Sequence, residues 1–426
     1  MKKIWIAAFL AALAVLSGCH SGGHAQNSTD MRALNAVPDA EPLDVLVDDD
    51  VKASALSLGQ TSGFSEFDSG TRDVKIRSST SQSVLADKSI AFSSGVFQTM
   101  LVYGHRAAIQ TQLLADDVTT IDSGQLRVRV ANLASDSGAV DVYLASPVTT
   151  APVIIGGAAF GTVTGSAEIA PGSYPIIVTA SGTQDVLFQS APQTFTAGTY
   201  YTIVVVPTAG GKQVNVVLLT QGQGGTGTFL QNPLSRLKAV NDVTDSTAIN
   251  FKVDNAPVLL SVPFAGSSSY VTTNSGTHNV QIEQSNVPGT NIATLSNNFL
   301  AARDYTVLAT GTVGAPALTA LLDDNTLPAS GFVKIRFVNG LNGGGNVDGL
   351  VNFALQASAI PFAGQSSYYQ LAPSTSTTGY TITFTTAGGV TVIATLSNVE
   401  LDAGGVYTAY VLGTAASPQV RLVRDR

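Results

Sequence analysis

The same kind of segment recurs four times along the chain: DMRALNAVPD around Asn35, RVRVANLASD around Asn132, RLKAVNDVTD around Asn241 and KIRFVNGLNG around Asn339. The asparagines stand 97, 109 and 98 residues apart. Solenoid repeats have periods of about 20–50 residues, whereas a spacing this long is that of one small domain. The chain must therefore fold as an array of four like units. What recurs between the copies is expected to be what builds the unit.

In every copy a base lies three residues before the asparagine: Arg32, Arg129, Lys238 and Arg336. Apolar side chains flank it, Met31 and Ala33, Val128 and Val130, Leu237 and Ala239, Ile335 and Phe337. That period of two predicts a strand with one buried face. Nine residues after the asparagine, Asp44, Asp141, Asn250 and Asp348 each head a second short apolar run. Turn residues such as Pro38-Asp39, Ser135–Gly138 and Thr244–Ser246 separate the two runs, which reads as strand, turn, strand.

A second block places Leu58, Phe264 and Phe362 each 23 residues beyond their asparagine, followed by Phe64, Tyr270 and Tyr368. The second copy has Phe160 at 28 residues, a loop insertion that fits its longer repeat. A third block opens a hydrophobic run with tyrosine, at Tyr200-Tyr201-Thr202, Tyr305-Thr306 and Tyr407-Thr408, with Phe97 in the first copy. Each copy closes on a last strand, QTQLLADD, QVNVVLLT, PALTALLDD or QVRLVRD. About seven short strands per copy, with frequent turn signals and no helical period after the leader, predict an all-β protein. The expected form is four tandem immunoglobulin-like antiparallel β-sandwich domains. The units run over 31–121, 126–221, 234–327 and 332–426, with a Gly-rich linker over 222–233. Links this short favour a semi-rigid rod.

Charged residues make up only 12% of the chain, against roughly 25% in ordinary globular domains, so hydroxyls and amides must cover most of the surface. A unit of about 100 residues can fold without disulfides, in keeping with the single cysteine, Cys19. That cysteine follows a positive stretch (Lys2, Lys3), an apolar one (Ile4 to Val15) and Leu16-Ser17-Gly18. The apolar stretch is shorter than the roughly 20 residues needed to span a bilayer as a helix. The pattern resembles the lipobox of bacterial lipoproteins. The resemblance implies a signal peptide over 1–18, a diacylglycerol on Cys19, a polar tether over 19–30 and attachment that is effectively permanent. His20 after the cysteine, in place of aspartate, implies the outer membrane of a Gram-negative envelope. Losing Lys2 and Lys3 takes the net charge from −8 to −10, which leaves no electrostatic driver for binding nucleic acid. Expected partners are the membrane, through the anchor, and envelope proteins or glycans.

The order of base, Asn and Asp, then an aromatic pair, then Tyr-Thr, then an acidic end resembles the bacterial domain of unknown function family 4397. The resemblance covers four copies, residues 31 to 426. Departures are Gly343, where the other copies carry Asp39, Asp136 and Asp245, and the first copy's lack of Tyr-Thr. The family implies a sandwich module of secreted or cell-surface proteins and carries no established activity.

Catalysis finds little support. Of four histidines, His20 and His24 lie in the tether, and His105 and His278 occupy positions the other copies do not share. This disfavours a Ser-His-Asp site. The doublets Asp116-Asp117 and Asp323-Asp324 and the run Asp48-Asp49-Asp50 cannot supply opposed acids from adjacent strand positions, and are expected to be solvated strand ends. No cofactor is expected: Gly222-Gln223-Gly224-Gly225-Thr226-Gly227 fits a dinucleotide fingerprint but leads into Pro233 rather than a helix. The set Asn35, Asp39, Asp44 and its counterpart Asn132, Asp136, Asp141 are candidate calcium ligands, competing with a role in Asx turns. Asn250 and Gly343 break that set in the other copies. Tyr201, Tyr305 and Tyr407 read as core aromatics whose hydroxyls reach the backbone, as a tyrosine corner does. The expectation is a non-enzymatic structural or adhesive envelope protein, with a polysaccharide- or calcium-binding module as the alternative and a hydrolase behind both.

Overall fold

The computed structural model describes residues 27–116, 120–145, 155–208, 210–374, 379–389 and 391–426. The lipidation candidate Cys19, the leader and most of the tether lie outside the described residues, as does Asp117. Every regular element described is a strand.

The first unit shows the plan with β1 (Ser28–Ala36), β2 (Leu43–Val47), β3 (Asp50–Leu56), β4 (Ser65–Asp68), β5 (Gly70–Ser78), β6 (Val84–Phe92), β7 (Phe97–His105) and β8 (Ala108–Ala115). One sheet has the order β4-β1-β7-β8 and the other β3-β2-β5-β6. The second sheet is antiparallel throughout. In the first, β1 and β7 run parallel, pairing Asp30 with Phe97 through Ala36 with Tyr103. The same parallel pair recurs in every unit: Leu126–Asn132 with Tyr200–Thr208, Leu234–Val243 with Asp304–Thr312, and Val333–Asn339 with Val406–Thr414. The sandwich expectation holds, and "antiparallel" needs this one amendment. The first described strand of this unit enters the middle of a sheet and must lie beside the seventh.

The hairpin between β2 and β3 explains one of the acid runs. Asp48 and Asp49 have φ of 49° and 69°, and Asp254 and Asn255 have 48° and 69° in the third unit. A two-residue hairpin of this hand needs positive φ at both central residues, which Asp and Asn tolerate. The fourth unit places Asn352 and Phe353 in the same conformation.

Four apolar cores lie between the paired sheets, one per unit, around Val45, Val142, Phe251 and Phe384. Two further apolar clusters lie between units. Leu34, Leu101 and Leu114 of the first unit pack on Ala131, Val204, Val206 and Val217 of the second. Val240, Leu308 and Leu321 of the third pack on Val338, Tyr410 and Leu412 of the fourth. The strand carrying the recurrent base is therefore buried on both faces, correcting the expectation of one. Side chains beside the base face their own core, and the residue just before each asparagine faces the neighbouring unit.

The stretch 222–233 does more than link. Gly227–Leu230 forms an additional edge strand on Gly211–Thr220 of the second unit, and Phe229 lies so close over Gly59 that a Cβ there would sit 2.3 Å from the ring. No helix follows the glycines, so the dinucleotide geometry is absent from this described segment.

Candidate functional site

The recurrent asparagine is a staple between the two sheets of its unit. Asn35 donates through Nδ2 to Leu56 O at 2.8 Å, while its Oδ1 accepts from Val37 N at 2.9 Å. Asn132, Asn241 and Asn339 repeat both bonds, to Ala158 O and Ala134 N, Val262 O and Val243 N, and Ile360 O and Leu341 N. The second recurrent position fixes the neighbouring irregular ladder. Asp44 Oδ1 accepts from Ala55 N, Asp141 Oδ1 from Gly157 N, Asn250 Oδ1 from Ser261 N and Asp348 Oδ1 from Ala359 N. Asp39 Oδ1 accepts from Arg106 N at 2.8 Å, and Asp136 Oδ1 from Leu327 N at 2.8 Å. Of the six candidate ligands, Asn35 and Asn132 make the local Asx contact, to the amide two residues on, whereas Asp39, Asp44, Asp136 and Asp141 accept from amides distant in sequence. No group of three or more His, Cys, Asp or Glu able to hold a metal occurs among the described residues.

The tyrosines behave as read. Tyr201, Tyr305 and Tyr407 each accept from the backbone N–H five residues earlier, at Thr196, Leu300 and Asp402, over 3.0–3.1 Å. The first copy does the same with Gln98, whose Oε1 accepts from Ser93 N at 3.2 Å. Register confirms the substitution, because Gln98 lies opposite Met31 as Tyr201 lies opposite Val128. Gln98, rather than Phe97, holds the tyrosine's place.

The threonine beside each tyrosine points the other way, toward the base. Arg32, Arg129, Lys238 and Arg336 lie directly opposite Thr99, Thr202, Thr306 and Thr408 in the parallel ladders. Each arginine donates through Nε to its threonine, at 2.8–2.9 Å. All four bases are almost fully enclosed, at 1%, 8%, 1% and 0% exposure, because the neighbouring unit covers them. Arg336 of the fourth unit pairs with Asp323 at the end of the third, and Lys238 of the third pairs with Asp425 at the end of the fourth. This exchange has a looser counterpart between the first two units. There the ion pair does not cross: Arg32 pairs with Asp116 of its own unit at 3.1 Å and reaches across to Thr220 O, while Arg129 reaches across to Ala115 O and donates to Gln221 Oε1 of its own unit. The expectation of solvated strand-end acids is overturned at Asp116 and Asp323, which like Asp425 are counter-ions to bases that β-sheet stacking removes from water. It holds at Asp48 and Asp49, which pair with Arg72 and Lys75 in partly exposed bridges.

A second reciprocal contact lies beside the third and fourth bases. Asp242 Oδ1 accepts from Gly413 N at 2.7 Å, and Asn342 Oδ1 accepts from Gly311 N at 2.9 Å. With no cation at hand, burial pushes the Asp242 carboxyl up to about 8, against the opposing effect of bonds from Gly413 and Asn342.

Where the second, third and fourth units meet, a cleft of about 870 Å3 opens, lined by Lys212, Arg236, Lys238, Tyr270, Arg424 and Arg426 among others. Neither in-unit histidine lies there. His105 faces Asp39 at 3.5 Å and His278 faces Asp254 at 2.6 Å.

Fold and site together define a tandem β-sandwich protein whose units are joined in twos through buried ionic and apolar faces. The profile of the family described as a domain of unknown function, DUF4397, matches residues 29–143 and 235–349. The chain belongs to that family. No curated protein matches it. Among solved structures, the Bacillus anthracis TIE protein is similar at 11% identity, over 92% of this chain and 69% of its own, with a TM-score of 0.15. A family 26 carbohydrate-binding module from Eubacterium rectale, in complex with maltoheptaose, is similar at 10% identity over 47% of this chain and 99% of its own, with a TM-score of 0.17. A glycogen-degrading pneumococcal virulence factor is similar at 10% identity, over 86% and 37% of the two chains, with a TM-score of 0.15.

Proposed function

We propose that the protein is a non-catalytic, lipid-anchored spacer of the cell envelope, holding stiff doublets of sandwiches away from an outer membrane and offering them to other envelope proteins. The observation that carries this reading is the pairwise burial of Arg32, Arg129, Lys238 and Arg336 between units. Burying charge is costly unless it is fully paired. A chain that only needed four separate modules would leave these bases in water. Stiffness between units is what such an arrangement supplies. Anchorage rests on the sequence Leu16-Ser17-Gly18-Cys19. The test is Cys19→Ala expressed in the native host and compared with wild type by membrane fractionation and mass spectrometry of the N-terminal peptide. Wild type is expected in the membrane fraction with an acylated Cys19, and the variant outside it. An unmodified cysteine at position 19 in membrane-bound wild type would overturn the anchor.

A further inference from the structure

The last strand of the fourth unit, Ser417–Arg424, ends its sheet with no strand beyond it among the described residues. Its counterpart in the second unit, Gly211–Thr220, carries Gly227–Leu230 on the same edge. The two seams are built alike, so the covered edge shows what the open one can accept. In the first pair of units Phe229 lies opposite Val217 and Gly227 opposite Leu219. By register with the strands before them, Arg421 stands where Val217 does and Val423 where Leu219 does. Beside them a groove of about 310 Å3 opens at the seam, walled by Phe264, Ala265 and Ser267 of the third unit and by Tyr410, Arg421 and Val423 of the fourth. The base across the seam leaves this edge free. Arg32, Arg129 and Arg336 each donate to a carbonyl at the end of the facing unit's last strand, Thr220 O, Ala115 O and Leu322 O, whereas Lys238 donates to the Asp425 carboxylate.

The lining also sets what fits. Ala265 places a methyl group at the position where Gly59 admits the Phe229 ring, each 24 residues beyond its asparagine, so an aromatic side chain opposite Arg421 would clash. Arg421 is exposed and pairs with no acid among the described residues, and a carboxylate suits the position opposite it. Ser267 and Val423 are each one carbon shorter than Thr61 and Leu219, which leave Gly227 no room for a Cβ. The place opposite Val423 therefore takes a small apolar side chain. A second copy of this edge is a poor partner, because antiparallel pairing of two such strands would gather Arg421 and Arg424 from both. We propose that the edge at 420–423 takes an extended strand from another protein, running antiparallel, with an acidic side chain opposite Arg421 and a small apolar one two residues before it, opposite Val423. The proposal rests on the reading that the array is offered to other proteins; lipid attachment does not enter it, so its failure and failure of the anchor are separately visible.

The test titrates the full-length protein with two end-blocked peptides, Thr-Thr-Val-Thr-Glu-Thr-Thr and the same peptide with lysine for glutamate. Affinity is read by fluorescence anisotropy, and the site by hydrogen exchange of the amides in Ser417–Arg424. The glutamate peptide is expected to bind and to slow exchange there, and the lysine peptide to bind about fivefold more weakly or worse. Arg421→Glu, a change at an exposed side chain, should reverse that order, the reversal itself reporting an intact groove. Absence of binding by the glutamate peptide, a preference unaltered by Arg421→Glu, or binding that leaves exchange in Ser417–Arg424 unchanged would each overturn the proposal. Exchange in that strand slowing with protein concentration alone would give the edge to a second copy and overturn it as well.

Discussion

Replacing Asp323 by asparagine removes the counter-charge of Arg336 while keeping the side chain's shape. In the wild type, Asp323 also accepts from Tyr270 Oη at 2.6 Å and from Thr306 Oγ1 at 2.8 Å, and both it and Arg336 have side chains at 0% exposure. Burial opposes ionisation of Asp323, but the Arg336 guanidinium and then the Lys238 ammonium hold its carboxyl below the usual carboxylate range. An uncompensated guanidinium at such a site costs about 3–5 kcal/mol. At about 1.4 kcal/mol per tenfold, the seam between the third and fourth units should open between one hundred and several thousand times more often. Native-state hydrogen exchange of the amides in Asp304–Thr312 and Val406–Thr414 reads this directly. Arg72→Met breaks the partly exposed pair with Asp48 and should cost at most about 1 kcal/mol. Adding Arg336→Met to Asp323→Asn should recover much of the loss, since the orphaned charge goes with it. Exchange accelerated less than about tenfold in Asp323→Asn, or no more than in Arg72→Met, would refute the claim that buried charge joins these units.

Asp242 sets a pH dependence of opposite sign to ordinary acid denaturation. Its carboxyl rises from 3.8 to about 8 on folding, so the folded chain retains a proton that the unfolded chain loses. The associated stability is complete below about pH 4 and lost as pH climbs through about 8; Asp242→Asn should flatten melting temperature over that window, and an unchanged slope would count against it. Asn241→Ala orphans Val262 O and Val243 N within a buried turn and should cost about 1–3 kcal/mol per group in urea unfolding; a cost below about 0.5 kcal/mol would deny the staple. Tyr305→Phe removes one bond from the Leu300 amide and should cost about 1 kcal/mol, whereas Gln98→Leu should do comparable damage in the first unit by freeing the Ser93 amide.

Much of this arrangement was legible in the residues. Periodicity and turn chemistry named the strands, and Tyr201, Tyr305 and Tyr407 could be read as corner residues because each opens a strand after a tight turn. The base could not be read correctly. Alternation marks Arg32 and its counterparts as facing away from their own core, and a polar face is ordinarily a wet one. Only stacking of one unit on another buries it, and no single copy encodes that. A signal did exist in the set of four: base, threonine and terminal acid recur together, with Gln221 replacing the acid where the pairing is loosest. The Gln98 substitution was hidden by similarity of character, since Phe97 resembles tyrosine more than its polar neighbour does. The cleft draws its walls from positions 184–187, 267–272 and 423–426, and strand patterning says nothing about residues so distant meeting.

Because each base finds its enclosure only against a second sheet, no module in this array is a complete object. Cutting the chain between Asp323 and Val333 would strip Leu308 and Leu321 of their cover and leave Lys238 facing water without Asp425. Cutting it between Leu230 and Leu234 would divide neither pair. Gain or loss of length in such a protein should therefore come in steps of two, and a shortened chain with an odd number of modules should aggregate where its even-numbered neighbours remain dispersed.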